Sequence, residues 1–362
     1  MTEMTPALGA RNLLLNCAGA QPGDRLLIAF EPPEFGYFDD DACECVAREA
    51  ERLGLVVDAV NVGFDAENPH LPGPLLRRME RFDIILFLAR LGDQLRFSDM
   101  PQGKKIIVSF ALNASLFGTG FGNAHHAAFE ELKSAVNTVL SNAREIRITC
   151  PAGTEISGTT EVDLTPECDT SIMRFPMSIF TPVPAAGFTG RAALPGFLTG
   201  TGSRYYDDYT VEFEGQVFAR LNEGRLTGFE GSRADVDRAN AHYDRVAALF
   251  GIDRNFVHSW HAGIHPGCGF PWDARDNYER WGGAAFGNPR LLHFHTCGAY
   301  APGEISWNVI DPTIAVDGVR YWENGTFMAD LLPRGAEILR RYHCTANLFR
   351  HPDREIGLAV AA

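Results

Sequence analysis

The first 145 residues switch repeatedly between short apolar runs and stretches of helical spacing. RLLIAF (25–30), LVVDAVNV (55–62), FDIILFLA (82–89) and KKIIVSF (104–110) read as strands. Between them DACECVAREAERLG (41–54), which closes on a glycine, and LLRRMER (75–81) read as helices. HAAFEELKSAVNTVLSNA (126–143) is an amphipathic helix. Strands alternating with helices predict a parallel sheet covered on both faces, a Rossmann-like or flavodoxin-like α/β domain over 1–145.

The pattern changes near residue 145. REIRITCPAGTEISGTTEVDL has the alternating, β-branched look of strands, and the Pro-, Gly- and Phe-rich stretch 172–204 reads as loops between short strands. YTVEFEGQVFARLNEGRLTGFEG (209–231) predicts a meander with Gly turns. One helix follows over 232–251, with Ser232 as N-cap and Asp235 and Asp237 at the positive end of its dipole. AVDGVRYWENG (315–325) predicts a hairpin around Asp317-Gly318. Residues 146–362 are therefore expected to form a β-rich α+β domain.

Composition narrows the class of protein. The chain has 362 residues, 45% of them hydrophobic, which suits a globular fold of about two domains. Its 32 basic and 46 acidic residues leave a net charge of −14, which argues against nucleic acid or an anionic membrane as partner. No apolar run is long enough for a membrane span, and the start MTEMTPALGARN lacks a signal-peptide core. Eight cysteines scattered over this length fit reduced thiols in the cytoplasm.

The histidines carry the candidate chemistry. His258, His261 and His265 lie in HSWHAGIHPGCGFPWD (258–273), where Gly and Pro predict a loop or strand end. His293 and His295 lie in LLHFHTCG; on a strand they share one face, a common way to offer two nitrogens to a transition metal. Glu304, Asp311, Asp273 and Asp276 are near enough in sequence to join them. Trp260, Trp307, Arg204 and Tyr205 are candidates for a substrate pocket, the tryptophans as flat apolar walls and Arg204 as a carboxylate fork. Core packing for the tryptophans and a surface loop for Arg204 are the alternatives. Glu212 and Glu214 alternate on a strand and offer a weaker acid–base pair. FGTGFGNA (117–124) lacks the spacing of a dinucleotide loop and reads as a turn where backbones approach closely.

Six segments together resemble the superfamily of aminopeptidase T-type metallopeptidases and 2,5-dihydroxypyridine 5,6-dioxygenases. They are CPAGTEISG (150–158), LPGFLTG (194–200), GRLTGFEG (224–231), HAGIHPG (261–267), LLHFHTCG (291–298) and VDGVRYWENG (316–325). The resemblance implies an N-terminal α/β domain and a C-terminal β-rich domain that holds metal. His261 falls where the dioxygenases place an iron-binding histidine and the peptidases a glutamate, and His293 matches a peptidase ligand. The family's later H-x-D pair corresponds to Ser306-Trp307-Asn308, and the peptidase glutamate near PGFLTG is absent, which speaks against a two-metal peptidase. The expected site is one metal on His261, His293 and His295, or on two of these with Glu304. Glu304 and His265 would then serve acid–base work. Fe(II) is favoured, with Zn(II) or Mn(II) as alternatives. The implied activity is a non-haem iron oxygenase of a small aromatic or heteroaromatic molecule, using O2. A metal-dependent hydrolase of a small amide or amine comes second, a metal-free binding protein third, and a homo-oligomer is expected.

Overall fold

Four of the strands predicted in the first 145 residues form one parallel sheet, and a fifth strand arrives from further along the chain. A computed structural model describes residues 4–67, 69–165 and 171–358. The sheet runs in the order Val56–Asn61, Arg25–Phe30, Ile84–Leu88, Lys105–Ser109, Met173–Phe175, all parallel. This is the flavodoxin-like order, and the sequence order of the strands reverses between Arg25–Phe30 and Ile84–Leu88. Leu26, Ile28, Ile84 and Leu86 face one apolar layer, while Leu27, Ala29, Ile85 and Phe87 face another. Two-sided burial explains why these strands read as unbroken apolar runs. The Met173–Phe175 strand comes from the stretch read as loops; three residues are too few to show a period.

The remaining strands build two antiparallel sheets. One runs Val211–Glu212, Phe197–Gly200, Ile305–Ile310, Leu291–Thr296, Val257–Ala262, Val183–Pro184. The other has eight strands and includes the hairpins Ile146–Thr149/Glu155–Gly158 and Thr313–Val316/Val319–Glu323. Asp317 and Gly318 both take positive φ in the second hairpin, as a two-residue turn requires. Trp260, Phe294 and Trp307 fill the space between the sheets with Phe188, Ile148 and Ile156. The expected meander over 209–231 is split: Phe218–Asn222 and Arg225–Glu230 pair with each other, but Val211–Glu212 joins the other sheet. The helix Arg233–Phe250 begins at Ser232, whose side chain accepts from the Asp235 amide at 3.1 Å, and ends at Gly251 in the left-handed conformation.

The two parts share a core. Trp281, Ala284 and Ala285 of the helix Tyr278–Ala285, with Phe197 and Leu291, pack into the same apolar cluster as Leu26 and Ile28. The glycine-rich segment 117–124 follows the short helix Ala114–Phe117 and contains a second, Gly120–Asn123, and Gly9 and Gly122 approach the Phe117 carbonyl too closely for any Cβ. Among the described residues no helix is long and apolar enough to cross a membrane, and seven of the cysteines are free thiols. Cys168 lies outside the described residues.

Candidate metal centre

The site begins with strand register. His261 lies opposite His293, His293 opposite Asn308, His295 opposite both Ser259 and Ser306, and Ser306 opposite Thr199. Side chains directly opposite in antiparallel pairs share a face, and residues two apart share it too. One face of this sheet therefore carries Ser259, His261, His293, His295, Ser306, Asn308 and Thr199. The other carries Trp260, Phe294 and Trp307. Val257–Ala262 is strand, and Gly263 continues it as a bridge to Ile179 so close to the neighbouring chain that a Cβ would sit 2.2 Å from the Asn288 carbonyl oxygen. The predicted loop thus starts only after Gly263, because pairing holds the chain extended that far.

Three imidazoles converge on that polar face. His261 Nε2 lies 2.5 Å from His293 Nε2 and 3.1 Å from His295 Nε2. His261 Nδ1 faces the Phe180 carbonyl at 3.2 Å, which can only accept, so Nδ1 carries the proton and Nε2 presents a lone pair. His295 Nδ1 donates to Glu304 Oε1 at 2.9 Å, and its Nε2 likewise presents a lone pair. Two lone pairs thus oppose each other across 3.1 Å. A His293 N–H can relieve one of the two contacts at His261, never both. A single cation bound by all three rings relieves both, so this donor set fits a divalent transition metal.

The surroundings favour neutral rings. Burial, and then the neighbouring imidazoles and the Arg174 charge, hold His261 and His293 well below the ordinary histidine range. Phe286, at the end of the Tyr278–Ala285 helix, stacks obliquely on His293 at 4.4 Å, and Phe180 stands edge-on to His261. Several buried polar atoms near by have no hydrogen-bond partner: Thr199 Oγ1, Asn308 Nδ2, His293 Nδ1 and Glu304 Oε2. Native proteins seldom leave such groups unpaired, so these atoms, apart from Glu304 Oε2, which faces Arg96 Nη2 at 3.6 Å, are available to further polar partners.

Other expected site residues lie elsewhere. Glu304 stands behind His295 and outside the converging set, because the ring turns its far nitrogen to the cluster. His265 is buried, stacked on Phe129 at 3.9 Å, and accepts from the Gly267 amide. Burial pushes its pKa down to about 3, so the ring is held neutral. Trp260 and Trp307 belong to the core on the opposite face; Trp307 donates to the Tyr243 hydroxyl at 2.6 Å. Arg204 is committed to Glu279 through its amide (2.8 Å) and its Nε (3.7 Å). Tyr205 donates to the Gln94 carbonyl at 2.9 Å, and its phenol lies in the electrostatic reach of Arg96 and Glu304. His258 sits at a bulge and packs against Tyr300. Glu212 accepts from Tyr278, Glu214 pairs with Arg238, and Asp311 pairs with Arg290. Asp273 and Asp276 lie in the short 3-10 turn before the Tyr278–Ala285 helix, where Asp273 Oδ1 accepts from the Arg275 amide.

Sequence reasoning did not single out Arg96 and Asp93, which lie in and just after the helix Arg90–Gln94; Arg96 comes within 3.6 Å of Glu304 Oε2 behind His295. Both follow the carboxyl end of Ile84–Leu88, beside the point where strand order reverses. That location, where open α/β sheets place ligands, was the available signal.

No family model matches the chain, and no curated protein matches it. Solved structures do. The 2,5-dihydroxypyridine dioxygenase from Pseudomonas putida KT2440 aligns with a TM-score of 0.61 at 14% identity, over 91% of this chain and 98% of that one. Wild-type AmpT from Thermus thermophilus aligns with a TM-score of 0.51 at 11% identity, over 89% and 98%. In fold, and over most of its length, the chain is similar to the dihydroxypyridine dioxygenase and aminopeptidase T structures, the resemblance that its motifs imply.

Proposed function

We propose that the protein is a metal-dependent enzyme acting on a small organic molecule, with His261, His293 and His295 holding one divalent transition metal. The observation that carries this reading is the convergence of three Nε2 atoms, two of them with their tautomer set by a partner on the far side of the ring. A metal there supplies a Lewis-acid centre and, as Fe(II), the electrons for dioxygen chemistry. The chain's own residues do the rest. Phe180 and Glu304 orient the ligand rings, Phe286 and Phe180 exclude water, and Thr199 and Asn308 offer a hydroxyl and an amide to the substrate.

The leading reaction is oxygenation of an aromatic or heteroaromatic molecule, supported by the fold shared with a dioxygenase and by apolar walls beside polar anchors. A second reading is hydrolysis of a small amide or amine. Three neutral imidazoles would also serve as the protein ligands of a catalytic zinc, and the fold is shared with AmpT.

The test is elemental analysis of anaerobically purified protein beside folded His261→Ala, His293→Ala and His295→Ala variants. Wild type is expected to hold a single equivalent of Fe, Zn or Mn, and each variant to lose most of it. Stoichiometric metal in both His261→Ala and His293→Ala, or a wild type that takes up none, overturns the reading. Oxygen consumption with a hydroxylated heteroaromatic selects the first reaction; anaerobic amide cleavage selects the second.

A further inference from the structure

Behind His295 a line of buried charge runs out of the second half of the chain and into the first. Glu304 Oε1 accepts a hydrogen bond from His295 Nδ1, and its Oε2 lies 3.6 Å from Arg96 Nη2. Arg96 donates through Nη1 to the Asp93 carbonyl at 2.8 Å and pairs with Asp93 Oδ2 at 3.3 Å. Asp93 Oδ2 also accepts the Ser203 amide at 2.7 Å. The side chains of Asp93, Arg96 and Glu304 are 7%, 6% and 4% exposed, so water screens little of this interaction.

Such a group is a poor choice for stability alone. Taking three charges out of water costs more than their attraction commonly returns, and apolar packing in their place is often as stable or better. Two carboxylates share one guanidinium, and Glu304, the one nearer the histidines, faces His295 with one oxygen and Arg96 with the other. The loop at 202–205 lies against the group: at Gly202, whose φ is +68°, a Cβ would lie 2.5 Å from Asp93 Oδ2 and push that carboxylate out of place.

We propose that Arg96, from the flavodoxin-like layer, is a positioning residue of the metal centre: it aligns Glu304 so that His295 keeps its proton on Nδ1 and turns Nε2 to the metal. This rests on the metal reading above. The site is then a composite of both halves of the chain, assembled only when the turn after Ile84–Leu88 is seated against the loop before Ile305–Ile310.

The experiment compares Arg96→Met, Arg96→Lys and Glu304→Gln in the full chain, with Co(II) alone as the probe. Arg96→Met and Glu304→Gln are expected to weaken Co(II) binding about 10–100-fold and to shift its ligand-field absorption, while Arg96→Lys stays within a few-fold of wild type. A second readout needs no metal. In 15N-histidine-labelled apoprotein, long-range 1H–15N spectra are expected to show His295 as the Nδ1–H tautomer in wild type and Arg96→Lys, and as a mixture in Arg96→Met. An unchanged tautomer in Arg96→Met overturns the proposal, as do Met and Lys variants that lose Co(II) equally and in step with thermal stability. If wild type binds no Co(II), the metal reading fails on its own, and the tautomer still decides the role of Arg96.

Discussion

Arg90 ties the first sheet to the helix that roofs the histidines, and its removal should be costly in a way that depends on pH. Its guanidinium pairs with Glu31 and, through Nη1 at 2.7 Å, with Glu279 of the Tyr278–Ala285 helix; the side chains of Glu31 and Glu279 are 0% and 9% exposed. Arg90→Met fills much of the same space but strands two buried carboxylates. Breaking a buried ion pair by removing one partner costs about 3–5 kcal/mol. Two carboxylates lose their partner here, but Glu279 keeps the Arg204 amide and Glu31 keeps the Arg90 amide, so we expect about 4 kcal/mol at pH 7. With an unfolding entropy of roughly 2 cal/mol/K per residue, that lowers Tm by about 5 °C.

The pH dependence follows from Glu279. Burial already holds its carboxyl above the ordinary range, with Arg90 as the strongest opposing influence. Without Arg90 it rises further. A carboxyl with a raised folded pKa binds protons more tightly in the native state, so its stabilising share is intact in acid and lost as pH climbs through the folded value. The deficit of Arg90→Met should therefore be smallest near pH 4.5 and grow toward pH 7. Urea unfolding followed by circular dichroism at both pH values measures it. A loss under about 1 kcal/mol at pH 7, or a deficit that grows in acid, would refute the reasoning.

His265→Phe should leave metal content unchanged and cost about 1–3 kcal/mol at pH 7, mainly from the orphaned Gly267 amide. Because the folded pKa of His265 is pushed down to about 3, wild type gives up stability as pH falls from the unfolded value toward 3, and the variant does not. The gap between the two should narrow at pH 4.5 in urea titrations; a constant gap counts against the assignment. Trp307→Phe removes the hydrogen bond to Tyr243 and some core volume, for a loss of about 1–3 kcal/mol. Its metal affinity should stay within a few-fold of wild type, since the ring faces away from the histidines; a collapse of affinity in folded protein would place the ring at the site after all.

Period and punctuation made much of the architecture legible. The apolar runs at 25–30 and 84–88, the capped helix at Arg233–Phe250 and the Asp317-Gly318 turn depend on local propensity and burial, which a sequence displays directly. The His293/His295 pair was legible for the same reason: a strand puts alternate residues on one face wherever it ends up.

What local pattern could not carry was pairing. Trp260 and His261 are neighbours with opposite fates, one in the core and one in the site, and only the register that sets His261 against His293 decides which face is which. Arg204 and Tyr205 resembled substrate anchors until the fold committed them to Glu279 and Gln94. Arg96 and Glu304 are more than two hundred residues apart, and nothing in either neighbourhood foretells that a guanidinium and a carboxylate will be buried together. By itself the sequence displayed most of the elements and the histidines that are candidate metal ligands. Tertiary structure decided which imidazoles meet and what stands behind them, because contacts between distant segments arise from the packing of whole sheets and not from the spacing of residues along a chain.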